Sequence, residues 1–405
     1  MTSDRDADLI VVGGGPAGVM TGLLFARAGC RVRILEKHKD FFRDFRGDTV
    51  HPSTMEILDQ LGMLQRFLQR PHNKVDRAEL RMAGRQWTIG DLSHLKTPAP
   101  FIAMMPQWEF LDFLRVEARA FPGFQLEMET PVEAFIEKGG AVTGVRLSDG
   151  AELRAPLTIA ADGRASIARS LLPLEDLGAP MDVFWFRIAK PRSEVGALRG
   201  NVERGRLLVM IDRGDYWQCA FLIPKGAAEA YQHRGIDAIR EEVAAAAPED
   251  LDVAELDEIS DLHLLTVKLD RLTTWNRRGL LAIGDAAHAM SPIGGIGINL
   301  AVQDAVAAAN ILAAPLARGE DVDPLLPKVQ ERRLFPTRVI QAGQKAAQDR
   351  IIGRLLQGTE PIRQAPLVVR LFDRYPVLRR IPGRIIGLGV RRERVRSPLA
   401  PAARP

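Results

Sequence analysis

The stretch "DLIVVGGGPAGVMTGLLFARAGCRVRILEK", residues 8–37, decides the fold of this chain. It opens with an apolar run typical of a buried strand, continues with apolar residues at helical spacing, and ends on the alternating strand pattern "RVRILEK". A strand, a helix and a second strand in this order form a β–α–β unit with parallel strands. We therefore predict an α/β fold built on a parallel sheet.

Glycines occupy the turn between the first strand and the helix. Gly13 permits a tight turn, Gly15 lets a pyrophosphate approach the backbone, and Gly18 lets the helix pack closely on the strand. The unpaired N–H groups of the helix start face the phosphates. Glu36 ends the second strand, where its carboxylate can accept hydrogen bonds from both hydroxyls of an adenosine ribose. The motif predicts FAD or NAD rather than NADP, and an ordinary αβ turn is the alternative.

Two later segments also place a polar turn after a strand. "TIAADGRASIARSLL", residues 158–172, has Asp162 and Gly163 at its strand end. "GLLAIGDAAHAMSPIGGIGINLAVQDA", residues 279–305, has Gly284 and Asp285 at its strand end, before a glycine-rich loop and a helix from about Asn299. With the first turn, they predict one long ligand that crosses the carboxyl edge of one sheet. A common Asp-Gly turn and a flexible surface loop are the alternatives.

Together, the patterns GxGxxG…E, DGxxSxxR and GDAAHxxxPxxGxGxNxxxxDA resemble those of the single-component FAD-dependent aromatic hydroxylases, the group A flavoprotein monooxygenases with the para-hydroxybenzoate hydroxylase fold. The resemblance spans about residues 8–345 and is specific for the fold, much less so for the substrate. It implies a Rossmann-like FAD-binding domain interrupted by a β-rich substrate domain, with a helical C-terminal lobe.

The resemblance also implies a set of FAD contacts. Glu36 would hold the adenosine ribose and Asp285 the ribityl chain, while Pro292 would lie against the flavin ring. Arg46 and Gln107 match positions that contact FAD in the family. The residues expected to bind FAD are Gly13, Gly15, Ala17, Gly18, Glu36, Lys37, Arg46, Gln107, Asp162, Gly163, Gly284, Asp285, Pro292, Gly295, Gly297, Ile298 and Asn299.

The implied reaction uses NAD(P)H and dioxygen to hydroxylate an apolar, aromatic or polycyclic small molecule through a flavin C4a-hydroperoxide. Glycine amides at a helix start would stabilise the negative charge that reduced flavin carries near N1. The expected catalytic residues are Pro292, Gly295, Gly297 and Asn299.

No second GxGxxG follows a strand, so we predict no stored nicotinamide domain, and the resemblance implies that NADH or NADPH binds transiently as a co-substrate. Arg46 and Arg169 are candidate contacts, with solvated surface arginines as the alternative. A surface or helix-cap role is favoured for His51, and a position facing the flavin is the alternative. His288 follows Asp285 by three residues, as metal ligands can, but the family pattern explains it and we predict no metal site.

The β-rich insert is expected to form the floor of the substrate pocket. Strand alternation places Phe184 and Phe186 on one face and Trp185 on the other. Because one face must pack a core, only some of these side chains can contact a substrate. The candidates are Phe186, Met210 and Phe221.

We predict a discontinuous FAD-binding domain, a substrate domain of two segments, and a basic lobe. The FAD-binding domain takes residues 1–74, 101–178 and 271–345, the substrate domain residues 75–100 and 179–270, and the lobe residues 346–405. From Arg350 to Pro405 the chain has 13 Arg and 3 acids, or +10, against −6 for the remainder, 42 basic and 48 acidic residues. Arginines on a packed helical lobe are the favoured interpretation, with contact to a membrane surface as the alternative.

Composition sets the remaining expectations. Hydrophobic content of 46% and charged content of 26% are ordinary for a globular protein. Two cysteines, Cys30 and Cys219, without metal spacing point to a reducing compartment, and the opening residues lack a signal-peptide layout, so we expect a cytoplasmic protein. No base-stacking pattern suggests nucleic acid, and a monomer or homodimer acting on a small molecule and dioxygen is expected.

Three further functions remain open at this point. The first is a flavin-dependent halogenase, which would need the motif Trp-x-Trp-x-Ile-Pro. The residues before Pro224 are Cys219, Ala220, Phe221, Leu222 and Ile223, so both tryptophans of that motif are missing. A reductase of the same fold is the second possibility, and a flavin-binding protein without oxygen chemistry is the third.

Overall fold

The computed structural model describes residues 5–42, 49–190, 198–203, 205–248, 251–358 and 364–400. The predicted β–α–β unit lies at the centre of a six-stranded sheet, where Leu9–Val12 pairs in parallel with Val32–Leu35 on one side and Leu157–Ala160 on the other. Every pair of neighbouring strands in this sheet is parallel except Asn276–Arg277 with Leu280–Ala282, which is antiparallel. In spatial order the strands are Asn276–Arg277, Leu280–Ala282, Leu157–Ala160, Leu9–Val12, Val32–Leu35 and Phe124–Glu127.

Both faces of this sheet are covered, as a parallel sheet requires. Leu9 and Val11 point into a core shared with helices, whereas Ile10 and Val12 point into a second core. The helices that contribute to the first core include Pro16–Arg27, Gln107–Ala118 and Gly297–Ala317. The second core is closed by a three-stranded antiparallel sheet of Val132–Lys138, Ala141–Leu147 and Glu152–Arg154.

The segment Ile293–Ala317 has the length and apolarity of a membrane span, but 78% of its apolar window is buried within the protein. Its helix packs against Pro16–Arg27 in the first core. Burial on this scale is typical of the core helix of a globular domain.

A seven-stranded sheet joins two separated parts of the chain. Its one parallel pair joins Arg77–Met82 to Leu198–Glu203, so the early hairpin extends the later strands. Helices Ala228–His233 and Gly235–Ala246 cover one face. In spatial order the strands are His263–Leu265, Met181–Ala189, Tyr216–Pro224, Arg206–Asp212, Leu198–Glu203, Arg77–Met82 and Arg85–Asp91.

Two further three-stranded sheets and the remaining helices complete the described part of the chain. The first small sheet has strands Thr49–Val50, Ile102–Met104 and Asn73–Val75, and the second has Leu174–Asp176, Asp270–Leu272 and His288–Ala289. The other helices are Pro52–Gln60, Leu64–Phe67, Leu326–Ala347, Gly353–Gln357, Leu367–Arg374 and Arg380–Leu388, with a π-helix at Gln348–Ile352.

One expected helix is divided. The pattern over residues 52–70 predicts a single helix, but the structure ends Pro52–Gln60 before Gly62 and resumes at Leu64–Phe67. Gly62 has φ of +70°, a left-handed conformation that interrupts the helical hydrogen bonds. The α/β class and the helical C-terminal lobe are confirmed.

The last described residues run back over the sheet domain instead of continuing the lobe. The N–H of Glu393 donates to the side-chain oxygen of Gln303 at 2.7 Å, and the N–H of Ala400 donates to the carbonyl of Arg27 at 2.8 Å. Residues from both ends of the chain therefore lie side by side.

Candidate active site

The three polar turns predicted from the sequence meet at one edge of the parallel sheet. A Cβ on Gly13 would lie 2.6 Å from the carbonyl oxygen of Ala161, directly before the second turn. A Cβ on Gly284, in the third turn, would lie 3.1 Å from the Cβ of Ala17. The backbone approach at Gly13 requires glycine, and Gly284 has both a tight contact and φ of +58°, so these two glycines follow from how the turns pack together.

The first turn divides its glycines between close packing and open space. A Cβ on Gly18 would lie 1.9 Å from the carbonyl oxygen of Gly13, whereas a Cβ on Gly15 would meet no atom within 4 Å. Gly15 is also the N-cap of the helix Pro16–Arg27, and no side chain caps that helix start. An anion can therefore approach the turn at Gly15 and meet the positive end of the helix.

Glu36 is held in place at the end of the second strand. Its buried carboxylate accepts hydrogen bonds from the N–H of Gly14 at 2.8 Å and of His38 at 3.0 Å. A carboxylate oxygen accepts more than one hydrogen bond, so both oxygens keep the capacity to bind ribose hydroxyls. Lys37 follows as an exposed residue.

The second turn contains an incompletely bonded carboxylate. Asp162 Oδ2 accepts a hydrogen bond from the N–H of Ile167 at 3.0 Å, but Oδ1 is buried and has no hydrogen-bond partner among the described residues. Burial raises the pKa of Asp162. A Cβ on the adjacent Gly163 would meet nothing within 4 Å. A buried acceptor beside free space is suited to a ligand with a hydroxyl or N–H group.

Two arginines of the second turn bind the third. Arg164 Nε lies 3.1 Å from Asp285 Oδ2, and Arg169 Nη2 donates to the backbone carbonyl of Asp285 at 2.7 Å. Arg169 also forms a bidentate pair with Asp270, at 2.8 and 2.9 Å, and its side chain is only 10% exposed. Arg169, a candidate NAD(P)H contact, is thus a clamp inside the protein. The sequence analysis did not select Arg164 as a site residue, although Arg164 directly follows Gly163 in the motif.

The glycine-rich loop, residues 292–298, has a defined conformation. Gly294 and Gly295 have φ of +77° and +60°, and the N–H of Gly295 donates to the carbonyl of Pro292 at 3.0 Å. The hydroxyl of Thr49 donates to the carbonyl of Gly295 at 2.7 Å. Gly297 then begins the long helix, and no side chain caps that start. The loop thus presents uncapped helix-start amides near Asp285.

The side chain of Asn299 has a structural role, and the expected FAD contact is that of its backbone. Its buried Oδ1 accepts hydrogen bonds from the N–H of His51 at 2.8 Å and the hydroxyl of Thr54 at 2.7 Å. Its Nδ2 donates to the carbonyls of Thr49 and Gly295, both at 3.3 Å. The side chain therefore holds the loop against the segment from residue 49, which leaves the backbone as the part of Asn299 that can serve a ligand.

The His51 side chain faces the C-terminal helices, so it takes neither the favoured surface role nor the alternative role beside the flavin. Its Nδ1 lies 2.8 Å from the carbonyl oxygen of Ile386, which requires Nδ1 to carry the proton. The ring is fully buried, and burial lowers the pKa of His51 to about 4. Neutral His51 therefore connects Asn299 to the helix Arg380–Leu388.

A buried charged cluster supports the third turn from behind. Asp304 Oδ2 accepts from the N–H of Gly284 at 3.0 Å and lies 2.6 Å from His288 Nε2, while Oδ1 accepts from Arg333 Nε at 2.8 Å. Burial alone would raise the pKa of Asp304, but His288 and Arg333 hold it below its usual value. His288 thus belongs to the support of the loop, as the family pattern suggested.

Two further expected FAD contacts, Gln107 and Ile298, lie at the starts of helices. Gln107 is the half-buried first residue of the helix Gln107–Ala118, which follows a strand paired with Thr49–Val50. Ile298 is buried in the first turn of its helix. Arg46 lies outside the described residues.

The substrate candidates lie on the wrong face of the seven-stranded sheet. Phe186, Met210 and Phe221 are at most 1% exposed and pack in the core beneath the helix Gly235–Ala246. They are core residues and are not placed to touch a ligand beside the glycine-rich loop. The sequence could have shown which face is buried. Ile239 and Val243 recur at helical spacing, so the helix Gly235–Ala246 has an apolar face that must pack against one face of the sheet.

The opposite face of the sheet meets the loop. Ile293 of the loop packs against the cluster that contains Val183, Ala220 and Leu222, and half-buried Trp185 and Val209 pack against the same cluster. The alternation that separates Trp185 from Phe186 is confirmed by the register of Met181–Ala189. An apolar molecule that reaches the loop therefore meets the Trp185 face.

A dinucleotide with a flavin ring fits this site. The open space at Gly15 accommodates a pyrophosphate, Glu36 can bind a ribose, and the buried Asp162 Oδ1 lacks a partner that a ligand can supply. The fold and the site together define a dinucleotide-binding protein in which FAD is the expected ligand.

Comparison with known proteins identifies the family. The family model described as "FAD binding domain" matches residues 6–343, and the chain belongs to this family. It is similar to 6-methylpretetramide 4-monooxygenase of Streptomyces rimosus, 34% identical over 97% of this chain and 94% of the relative. It is also similar to para-nitrophenol 4-monooxygenase of Pseudomonas sp. strain WBC-3, 26% identical over 77% of this chain and 79% of the relative.

A solved structure shows the same fold. OxyS, an anhydrotetracycline hydroxylase from Streptomyces rimosus, superposes with a TM-score of 0.71 at 22% identity, covering 94% of this chain and 76% of that chain. The predicted resemblance to the FAD-dependent aromatic hydroxylases is confirmed, and the chain is an FAD-dependent monooxygenase.

Proposed function

We propose that the chain hydroxylates an apolar aromatic or polycyclic small molecule, with electrons from NADH or NADPH and one oxygen atom from dioxygen. The observation that carries this proposal is the glycine-rich loop, whose uncapped helix start lies beside Asp285 and whose Ile293 packs against the apolar Trp185 side of the sheet. Relatives named for a polycyclic substrate and for a nitrophenol support the substrate class.

FAD, when bound, supplies the ring that takes up electrons and activates dioxygen. The chain's own residues bind and orient it. Glu36 and the turn at Gly15 hold the adenosine and pyrophosphate end, and Asp285 holds the ribityl chain. The backbone amides near Gly297 and Asn299 stabilise negative charge at the pyrimidine end of the ring.

The apolar sheet face serves the reaction by excluding water. Side chains such as Val209 and Leu222 offer no hydrogen-bonding groups, so a substrate that covers them leaves the reacting centre dry. Protection of a reactive oxygen species from solvent favours oxygen transfer over release of hydrogen peroxide. No acid–base dyad is required of the protein for this role.

The smaller proposals accompany this function. The chain has three parts, an FAD-binding domain, a substrate domain and a basic C-terminal lobe, and the boundary at 74/75 falls within the strand Asn73–Val75.

A cytoplasmic location is supported by two buried free cysteines, of which Cys30 has its pKa raised to about 12 by burial. A monomer or homodimer is proposed.

The test combines oxygen labelling with a substrate screen. The FAD-loaded protein is given NADH or NADPH and a panel of phenols and polycyclic aromatic compounds under ¹⁸O₂. We expect stimulated nicotinamide oxidation and a product heavier by one labelled oxygen atom. Oxygen derived from water, or turnover that continues without dioxygen, would refute the proposal. A halogenated product in the presence of bromide or chloride would favour the halogenase alternative.

A further inference from the structure

Exposed apolar side chains are concentrated near the C-terminal end of the chain. Of sixteen large hydrophobic residues exposed in the described part of the chain, eight lie between residues 367 and 390. We call this region the C-terminal surface. Its apolar side chains include Leu367, Leu371, Tyr375, Val377, Ile381 and Ile385, which are between 39% and 65% exposed.

The helices beneath this surface already pack on the body of the protein through another face. Val369 is buried in a cluster with Met82 and Trp87 of the early hairpin. On the second helix, a Cβ on Gly383 would lie 1.9 Å from the carbonyl oxygen of Asp91, so the backbones are in direct contact. Because the inner faces anchor both helices on the strand Arg85–Asp91, the outer apolar faces are not needed for folding.

The exposed charges of the same helices are almost all positive. Arg370, Arg374, Arg380 and Arg384 are exposed, and no described residue forms an ion pair with any of them. The one acid between residues 367 and 390, Asp373, is bound by Arg85 at 2.6 Å and Arg379 at 3.5 Å.

We propose that the C-terminal surface docks on an anionic lipid surface. Short amphipathic helices with exposed aliphatic residues and flanking arginines insert their apolar faces at the headgroup boundary while the arginines bind anionic headgroups. Tyr375 has the amphipathic ring that is enriched at such interfaces. A two-fold contact between two copies would place these unpaired arginines against each other, which disfavours self-association through this face.

The docked surface lies close to the glycine-rich loop. The carbonyl of Ile386, beside exposed Ile385, accepts a hydrogen bond from His51, whose N–H donates to Asn299. Docking would hold the active-site side of the protein near the bilayer, where an apolar substrate is concentrated. This last consequence rests on the proposed function, whereas the docking itself does not.

The test measures flotation of the FAD-loaded protein with lipid vesicles. One set contains phosphatidylglycerol and phosphatidylcholine, and the other contains phosphatidylcholine alone. We expect binding to the anionic vesicles that weakens with added salt. The double variant Ile381→Ser with Ile385→Ser should lower the binding constant at least about tenfold, and Arg370→Gln with Arg384→Gln should remove the preference for anionic lipid.

The matched control is the double variant Val116→Ser with Leu264→Ser, which removes two side chains that are each 45% exposed and lie outside the C-terminal surface. It should float as the unmodified chain does. Equal flotation of all variants, or none of the unmodified chain, would overturn the proposal. So would a dimer that the Ile381 and Ile385 substitutions convert to monomer, since that result would assign the surface to a second copy.

Discussion

The carboxylate of Asp304 lies 2.6 Å from Nε2 of His288, and both side chains are within 1% of full burial. Arg333 donates to the other oxygen of the same carboxylate, and the N–H of Gly284 donates to the first. Asp304 lies on the helix Gly297–Ala317, which begins at the glycine-rich loop, and its carboxylate binds Gly284 at the start of the third turn. One buried carboxylate therefore holds the residues before and after the segment that includes Asp285. This cluster makes the third turn rigid before any cofactor binds.

Replacing Asp304 should be costly. Asp304→Asn keeps an acceptor for Gly284 but removes the carboxylate that Arg333 binds at 2.8 Å, so buried Arg333 keeps only the longer pair with Glu393 at 3.5 Å. Removal of one partner of a buried pair costs about 3–5 kcal/mol. Urea unfolding of the FAD-loaded protein measures this loss. The control Asp373→Asn removes an exposed pair with Arg85 and should cost less than about 1 kcal/mol. Equal stability of the two variants would show that the buried cluster does not support the fold.

His51 should make the folded state sensitive to acid. Its pKa in the folded chain is about 4, below about 6.5 for an unfolded histidine, so the unfolded chain takes up the proton first as the pH falls. The free energy of unfolding should therefore decrease between about pH 6.5 and 4, by about 3 kcal/mol in total. His51→Asn keeps a donor for Ile386 and does not titrate. Thermal melts of both proteins at pH 8 and 5 should show a smaller acid-induced loss in the variant, and parallel losses would contradict the assignment.

Gly295→Ala should separate cofactor binding from oxygen transfer. The added Cβ would lie 2.4 Å from Thr49 Oγ1, at a residue with φ of +60°, so the loop must move. We expect FAD to remain bound through the turn at Gly15, while nicotinamide oxidation yields hydrogen peroxide instead of product. Gly139→Ala is the control, because Gly139 has φ of +59° with nothing within 4 Å of the new Cβ. Undiminished coupling in Gly295→Ala would exclude this role for the loop.

Asp285→Ala should weaken FAD binding. A hydrogen bond to a charged group contributes about 1.5–3 kcal/mol, which corresponds to a dissociation constant roughly ten- to a hundredfold higher. Flavin fluorescence on dilution measures the release. The control is Asp149→Ala, which removes an exposed carboxylate from a turn outside the site and should retain FAD. If both variants hold the cofactor equally, Asp285 does not bind the ribityl chain.

The two faces of the seven-stranded sheet should respond differently to substitution. Val209→Phe, on the face that meets Ile293, should change the KM for the substrate with little effect on the melting temperature. Met210→Ala, on the face beneath the helix Gly235–Ala246, should cost about 2–5 kcal/mol of stability and leave KM unchanged. The reverse pattern would place the substrate on the Phe186 side.

The parts of the site that sequence reasoning could predict are those in which one residue type follows from local geometry. Gly18 is required by a contact with Gly13 in the same turn, Gly13 permits that tight turn with φ of +101°, and Asp285 follows a strand whose neighbours end at the same edge. These features repeat with fixed spacing, so the pattern alone predicts the fold class and the meeting of the three turns.

The remaining parts depend on contacts between distant segments. Alternation separates Trp185 from Phe186, but which face meets the loop is decided by the helix Gly235–Ala246, which covers the other face. Arg169 has the pattern of a surface residue until Asp270, 101 positions later, is placed beside it. Asn299 matches a ligand position, yet its side chain is satisfied by His51, 248 positions away.

The order of strands in the parallel sheet has a consequence for synthesis of the chain. Leu9–Val12 must wait for its neighbour Leu157–Ala160, and that strand acquires its neighbour Leu280–Ala282 only after more than half of the 405 residues have been made. A ribosome that adds about 5–20 residues per second takes roughly ten seconds to a minute over that interval. Throughout it the nascent sheet has an unpaired edge open to other chains. The yield of folded protein should therefore depend on chaperones and growth temperature more strongly than the stability of the finished molecule does.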